Sequence, residues 1–320
     1  MVKKIGILTS GGDSPGMNAA VIGAIKAGIA LNKEMYVVYD GYKGLISDHF
    51  IKVDKHFMED KMASGGTYIK TARLPEFKEV EVRQKAVDAM KKEGIEALIV
   101  VGGDGSYIGA KKLTAMGINC VGLPGTIDND ISSSDVTIGF DTALNTVVSA
   151  IDNIRDTMTS HNRCAVIEIM GNHCPDLTSY ASIATFSDEV ITIDHPLDKE
   201  KLFERMKKAK ESGQESYIIL VAEKLLDTVA LTKEINDQKV REARLTVLGH
   251  IQRGGKPTAM ERVNAFRMGA YAVELLDNNI GGVCVGLKDN KLSYIDIDEA
   301  LELPRNKHLE LYELHDLVTK

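Results

Sequence analysis

The 320-residue sequence lacks several things, and each lack removes a class of protein. It has four cysteines (Cys120, Cys164, Cys174 and Cys284), none in a C-x-x-C arrangement, and no histidine pair at zinc-ligand spacing. That pattern argues against a disulfide scaffold or a structural zinc site. Positive charge is not in excess: 39 Lys and Arg stand against 46 Asp and Glu, for a net charge of −7. With little basic surplus to release counterions, general nucleic-acid binding is not expected. Phosphorylated small molecules stay open, because a few clustered arginines suffice for them. No apolar run approaches the ~18 residues of a membrane span. The first run, residues 5–9 after Lys3 and Lys4, is interrupted by Ser10-Gly11-Gly12-Asp13 and is too short for a signal peptide. No membrane partner is expected, and the chain reads as cytoplasmic. Short repeats and low-complexity tracts are missing too.

What is present is an alternation of apolar strand, glycine-rich turn and helix. Residues 4–8 read as a buried strand that breaks at Ser10-Gly11-Gly12-Asp13-Ser14-Pro15-Gly16, followed by a helix with Val21, Ile25 and Gly28 on one stripe. A second strand at residues 97–101 halts at Gly102-Gly103-Asp104-Gly105-Ser106, and Ile108 and Leu113 open a helical pattern. Residues 119–123 read as a short strand ended by Pro124-Gly125. Residues 142–158 form the clearest helix, with Leu144, Val147, Val148, Ile151 and Ile154 on one face. Strand-length runs at 164–170, 189–193, 217–222, 245–248 and 283–286 alternate with helices, of which 199–212 and 261–276 are the strongest. Continuous apolar strands joined by helical crossovers predict an α/β architecture of doubly wound parallel sheets. At roughly 100–200 residues per domain, the length fits two domains, and no linker marks their boundary.

Three turns after predicted strands carry candidate chemistry. In residues 11–16, glycines let backbone N–H groups approach an anion at a helix N-terminus, where the partial charge is positive. The alternative is a tight turn capped by Asp13 or Ser14. In residues 102–106, bare backbone suits phosphates, and Asp104 is of the type that holds Mg²⁺ together with phosphate oxygens. Helix capping is the alternative there. The turn matches neither G-x-x-x-x-G-K-[ST] nor G-x-G-x-x-G, so Walker and dinucleotide readings lose support. In Pro124-Gly125-Thr126-Ile127-Asp128-Asn129-Asp130, carboxylates at i and i+2 point the same way if the segment is extended. They would supply a base and a partner that orients metal or water, with Asx turns as the alternative. Three such turns at strand C-termini predict a shared ligand site.

Arginine forks match phosphate oxygens and stay protonated. Arg73 stands in a pre-proline loop, Arg155 on the polar side of the 142–158 helix, and Arg163 just beyond it. Arg244 and Arg253 bracket a glycine-rich stretch containing His250, for which a core histidine is the alternative reading. Arg241 and Arg262 read as solvated surface residues. Glu223, at a strand end, is a candidate partner for sugar hydroxyls.

Taken together, Leu8-Thr9-Ser10-Gly11-Gly12-Asp13-Ser14-Pro15-Gly16-Met17-Asn18, Gly102-Gly103-Asp104-Gly105-Ser106, residues 124–130 and residues 248–255 resemble the bacterial 6-phosphofructokinase family. The resemblance runs from residue 3 to about residue 300. It implies a phosphofructokinase-like fold and transfer of the γ-phosphoryl group of MgATP to the 1-hydroxyl of fructose 6-phosphate in glycolysis. By position, Asp128 matches the family's general base. Thr126, Asp130 and the backbone at Gly12 match groups around the transferring phosphoryl, Arg73 reaches its charge, and Asp104 contacts Mg²⁺. The implied ATP set is Gly12, Tyr42, Arg73, Gly103, Asp104, Gly105, Ser106 and Gly109. The implied sugar-phosphate set is Thr126, Asp128, Arg163, Met170, Glu223, Arg244, His250 and Arg253. The family is a homotetramer in which the arginines matching Arg163 and Arg244 serve a neighbouring subunit. Its domains are discontinuous: 1–139 with 252–302 for ATP, and 140–251 with 303–320 for the sugar phosphate. Of its effector site, Lys26, Lys55, Arg155 and Asp188 survive.

The sequence also departs from that pattern. The family's M-G-R-x-x-G-D reads Met170-Gly171-Asn172-His173-Cys174-Pro175-Asp176, and its A-E-G reads Ala222-Glu223-Lys224. At effector positions, Ile22, Ser212 and Gln214 stand where basic residues are usual, and Lys26 where Arg is usual. Gly105 and Gly125, typically Asp and Lys in pyrophosphate-dependent relatives, are both glycine. Lipid and NAD kinases share a Gly-Gly-Asp-Gly turn but lack the 248–255 motif. The alternatives carried forward are a pyrophosphate-dependent enzyme and a catalytically weak regulatory paralogue, the latter because of Asn172 and Pro175.

Overall fold

The computed structural model describes residues 2–319. The chain runs β1 (Lys4–Thr9), α1 (Met17–Ala30), β2 (Glu34–Val38), α2 (Gly41–Leu45), β3 (Phe50–Val53), α3 (Val80–Glu93), β4 (Ala97–Gly102), α4 (Asp104–Thr114), β5 (Asn119–Thr126) and β6 (Ile138–Gly139). It continues through α5 (Phe140–Ser160), β7 (Cys164–Ile169), α6 (Asp176–Ala184), β8 (Glu189–Ile191), α7 (Lys199–Glu211), β9 (Tyr217–Ala222), α8 (Thr228–Asp237) and β10 (Ala243–Val247). It ends with α9 (Ala259–Asp277), β11 (Val283–Lys288), β12 (Lys291–Asp296), α10 (Ile297–Glu302) and α11 (Leu309–Thr319). Two compact units result: Met1–Thr142 with Arg253–Arg305, and Ala143–Gln252 with Asn306–Lys320.

The first unit holds a sheet ordered β12-β11-β5-β4-β1-β2-β3, with β6 beside β5. Its interior pairs are parallel, while β3 and β12 are antiparallel edges. The apolar strands are continuous because both faces are covered. Ile5, Ile7, Ile99 and Val101 pack with Val21, Ile25, Ala272 and Leu276 from α1 and α9. Leu8, Leu98 and Val100 pack on the other face with Val87, Met90 and Leu113 from α3 and α4. Helices α1 and α9 meet backbone to backbone: a Cβ on Gly23 would lie 2.3 Å from the Phe266 carbonyl oxygen, so no larger residue fits.

One strand end differs from expectation. β5 does not stop before Pro124 but runs to Thr126, with Pro124 opposite Gly102 of β4. The Cys120 carbonyl accepts the Gly282 N–H, so residues 120, 122 and 124 direct their backbone groups toward β11. That pairing ends at Gly122, and no partner there needs the N–H that proline lacks.

The second unit holds four parallel strands in the order β10-β7-β9-β8. Val166, Ile219 and Val221 pack with Leu202, Met206, Leu231 and Ile235. The α/β doubly wound class predicted from the alternating pattern is the class observed. Arg241 is not the solvated residue expected: it is 6% exposed, and its fork donates to the carbonyls of Gln214 and Glu215. Arg262 is likewise half-buried, with Nε donating to the Pro257 carbonyl at 2.8 Å. Both guanidiniums satisfy loop carbonyls that have no partner in a helix or strand. Among the described residues, no helix is long and apolar enough to cross a membrane.

Candidate active site

In the first unit, β1 connects toward β2 and β4 toward β5, in opposite directions across the sheet. The winding reverses between β1 and β4, and the turns following these strands border the crevice where doubly wound sheets take ligands. Those turns are residues 10–16 and 103–106. Each leads into a helix with no side-chain cap: α1 is entered through Gly16 at φ +102°, and α4 through Gly103. The expected alternatives, capping by Asp13, Ser14 or Asp104, are therefore not realised. Ser14 Oγ donates instead to the Ile138 carbonyl at 2.7 Å, and Asp13 pairs with Arg253 at 2.9 Å. The Met17 N–H at the start of α1 donates to the Ser14 carbonyl at 3.4 Å, while the exposed start of α4, free of a side-chain cap, suits an anion.

The glycines divide by purpose. A Cβ on Gly102 would lie 2.5 Å from the Ser10 carbonyl, so backbone contact forbids a side chain there, while one on Gly12 would displace the Arg253 guanidinium, 2.3 Å away. A Cβ on Gly103 or Gly105 would meet nothing within 4 Å, so these two leave space for a ligand. Beside them, the Asp104 carboxyl titrates above its ordinary range, first through desolvation and then through the charge of Asp130. The charge of Asp130 acting on Asp104 marks a position where a divalent cation is favourable. Among the described residues, no group of three or more His, Cys, Asp or Glu forms a metal cage. The donor set fits Mg²⁺, which takes one or two carboxylates and completes its shell with phosphate oxygens and water.

The turn after β5 is not extended. Asn129 adopts φ +57° and residues 127–128 bend, so strand alternation does not set the directions of Asp128 and Asp130. Thr126 Oγ1 accepts the Asp128 N–H at 3.1 Å, and Asn129 Oδ1 accepts the Thr137 N–H at 3.0 Å. The Asn129 side chain thus closes the bend against the approach to β6. The loop that carries Arg73 is strapped to the same end of the sheet. Asn18 binds the Ser64 carbonyl and Tyr68 N–H, Thr9 Oγ1 the Lys70 carbonyl, and Thr71 Oγ1 the Gly11 carbonyl. Arg73 itself is exposed, without an ion-pair partner among the described residues. Tyr42 is buried, stacks on Phe77 at 4.2 Å and donates to the Ser106 carbonyl at 2.7 Å. A Cβ on Gly109 would strike its ring, so Tyr42 acts on the 103–106 turn from beneath.

In the second unit, the Glu223 carboxylate accepts the N–H groups of Gly171 (3.2 Å) and Asn172 (2.8 Å), and Gln252 Oε1 accepts the Met170 N–H at 3.1 Å. Arg163 and Arg244 share one carboxylate, Glu242, with Arg163 Nε at 2.8 Å. His250 is exposed on a short 3₁₀ turn and is not a core histidine.

A phosphofructokinase family model matches residues 4–276. The chain is 52% identical over 315 residues to the ATP-dependent 6-phosphofructokinase of Aliivibrio salmonicida, covering 98% of both chains. It is 51% identical, at the same coverage, to that of Vibrio cholerae. Its fold matches phosphofructokinase from Saccharomyces cerevisiae with a TM-score of 0.90 at 32% identity, over 98% of this chain and 50% of that one. The chain belongs to the phosphofructokinase family.

Of the four charged residues expected at an effector site, Lys26, Arg155 and Asp188 are engaged within the chain. In the first unit Lys26 pairs with Glu59, and Lys55 is exposed. In the second, Arg155 is half-buried and donates to the carbonyls of Thr185 (2.5 Å) and Phe186 (3.2 Å). Asp188 accepts the Ile218 N–H and the Gln214 side-chain amide, each at 2.6 Å, while burial raises its titration. Sequence reasoning missed one side chain near the sugar-side residues, Lys224, which was legible only as a departure from the phosphofructokinase pattern.

Proposed function

We infer that the chain transfers the γ-phosphoryl group of ATP to the 1-hydroxyl of fructose 6-phosphate, as an ATP-dependent 6-phosphofructokinase. The observation that carries this reading is the 52% identity, over nearly the full length, to a relative of that activity. Asp128 takes the proton of the attacking hydroxyl, and the hydrogen bond from its own N–H to Thr126 holds the turn in place for that task. The backbone of the turn before α1 and the uncapped start of α4 receive phosphate oxygens, and the exposed guanidinium of Arg73 meets the charge that develops during transfer. Asp104 would hold Mg²⁺, which neutralises charge on the ATP phosphates. On this reading the first unit binds ATP, and the second binds the sugar phosphate through Met170, Glu223, Arg163, Arg244 and His250. Arg163 and Arg244 would serve a neighbouring subunit of a homotetramer in the cytoplasm.

The open space at Gly105 supports ATP over pyrophosphate, because it leaves room beyond two phosphates. A coupled assay comparing MgATP with Mg-pyrophosphate at equal concentration tests the choice. Turnover of fructose 6-phosphate with MgATP is expected, and faster turnover with pyrophosphate would overturn the reading.

A further inference from the structure

Two non-glycine residues of the second unit hold left-handed backbone at the ends of adjacent strands: Asn172 (φ +57°) after β7 and Lys224 (φ +62°) after β9. Lysine enters this region rarely, and such strain persists only where surrounding contacts fix it, often at ligand sites. The contacts are specific. Lys224 Nζ donates to Asn172 Oδ1 at 2.7 Å, while Glu223, next in sequence to Lys224, accepts the Asn172 N–H. With the Gly171 N–H also donating to Glu223, three side-chain hydrogen bonds tie the two strand ends together.

Their place in the sheet gives the tie a purpose. In the order β10-β7-β9-β8, the connection leaving β7 runs toward β8 and that leaving β9 toward β10. The winding reverses between these two strands, and their carboxyl ends border the ligand crevice of this sheet. A small cleft there is lined by Gly171, Asn172, Glu223 and Lys224. Lys199 and Lys208 of the same unit pair with Glu234 and Glu204, whereas among the described residues the exposed Lys224 ammonium meets only an amide oxygen. A neutral acceptor aims the ammonium without cancelling its charge, and two of its three N–H groups remain for an anion.

We propose that Lys224, aimed by Asn172, binds the phosphorylated sugar substrate and sets how tightly this chain holds it. The proposal rests on the functional reading above. The two sequence departures on the sugar side are then one feature: Lys224 touches substrate, and Asn172 is the positioning residue.

The test uses the full chain with MgATP and fructose 6-phosphate. Lys224→Gly removes the ammonium and puts glycine where the backbone is left-handed. The KM for fructose 6-phosphate should rise about tenfold, with kcat and the ATP KM within about twofold. The melting temperature should hold or rise, because strain is relieved while binding is lost; a merely structural role predicts the opposite. Asn172→Ala should raise the same KM by a smaller factor, and the double variant should be no worse than Lys224→Gly alone. Fructose 6-phosphate titrated without ATP in a thermal-shift measurement should rank the variants in the same order. An unchanged sugar KM in Lys224→Gly, or effects that multiply in the double variant, would overturn the proposal alone. No turnover by the unsubstituted chain would overturn the functional reading and this proposal with it.

Discussion

The candidate site of the first unit is built largely from backbone, and that of the second largely from side chains. In the first, Gly103 and Gly105 leave space, α1 and α4 begin without side-chain caps, and the turns present N–H groups. In the second, Glu223 and Gln252 bind turn amides, and Asn172 and Lys224 fill left-handed positions that glycine takes at no cost. A surface made of backbone cannot be retuned without moving the main chain, because adding a Cβ at Gly102 strikes the Ser10 carbonyl. A surface made of side chains can be altered one substitution at a time. The sequence fits this contrast: the glycine turns keep the family pattern, and the departures fall at Asn172, Pro175 and Lys224. Chemistry is expected to reside in the first unit and substrate affinity in the second.

The largest effect should come from Asp128→Asn, which keeps the turn but removes the base. A general base contributes about 10²–10⁴-fold, so kcat should fall by that factor with the sugar KM little changed. Steady-state kinetics checks this, and a variant keeping more than about half its kcat would break the assignment of chemistry to the first unit.

Next is a stability effect in the core of that unit. Glu261 is 3% exposed and accepts the Thr142 N–H at 3.2 Å, and burial raises its carboxyl to about 7. The folded state therefore holds a proton that the unfolded chain releases near its ordinary value of 4.5. Stability from this group is full below about pH 4.5, is lost as pH rises to about 7, and is level above. The loss is on the order of 3 kcal/mol. Glu261→Gln cannot ionise, so its stability relative to the parent should grow across that window. Urea titrations at a series of pH values test this, and parallel profiles for the two proteins would contradict it.

Arg244→Ala probes the second unit. The guanidinium is exposed beside Glu242, and its loss should raise the sugar-phosphate KM roughly ten- to hundredfold while leaving kcat within a few-fold. A fall in kcat at constant sugar KM would reverse the contrast between the units.

The smallest effect concerns regulation. With Ile22 buried, Arg155 held by two carbonyls and Asp188 held by Gln214, few cations are left for an anionic effector. A ligand shifts a two-state equilibrium only by its differential affinity, so millimolar phosphoenolpyruvate should move the fructose 6-phosphate half-saturation point less than about twofold. ADP should activate little. A several-fold rightward shift with phosphoenolpyruvate, abolished by Arg155→Ala, would show that the site is functional after all.

Much of the candidate site's placement in the fold was legible because its signals are local. The turns at residues 11–16 and 102–106 follow apolar runs, and that order alone puts them at strand carboxyl ends. Directions were less legible. The sequence suggested parallel carboxylates at Asp128 and Asp130, but Asn129 turns left-handed and the bend is closed by Thr137, eight residues on. Arg241 read as solvated because a charged side chain usually is, yet it satisfies loop carbonyls some 26 residues away in sequence.

The sequence by itself determined the winding of this protein and the nature of its ligand. Strand and helix periods and glycine turns are properties of neighbouring residues, and they act before any long-range contact forms. Only the tertiary structure decided which side chains meet. Asn172 and Lys224 lie 52 residues apart and touch because β7 and β9 are neighbours in the sheet. Glu261 and Thr142 lie 119 apart and share a hydrogen bond at a carboxyl whose titration burial raises. Strand order and burial fix those encounters, and both depend on how the whole chain packs.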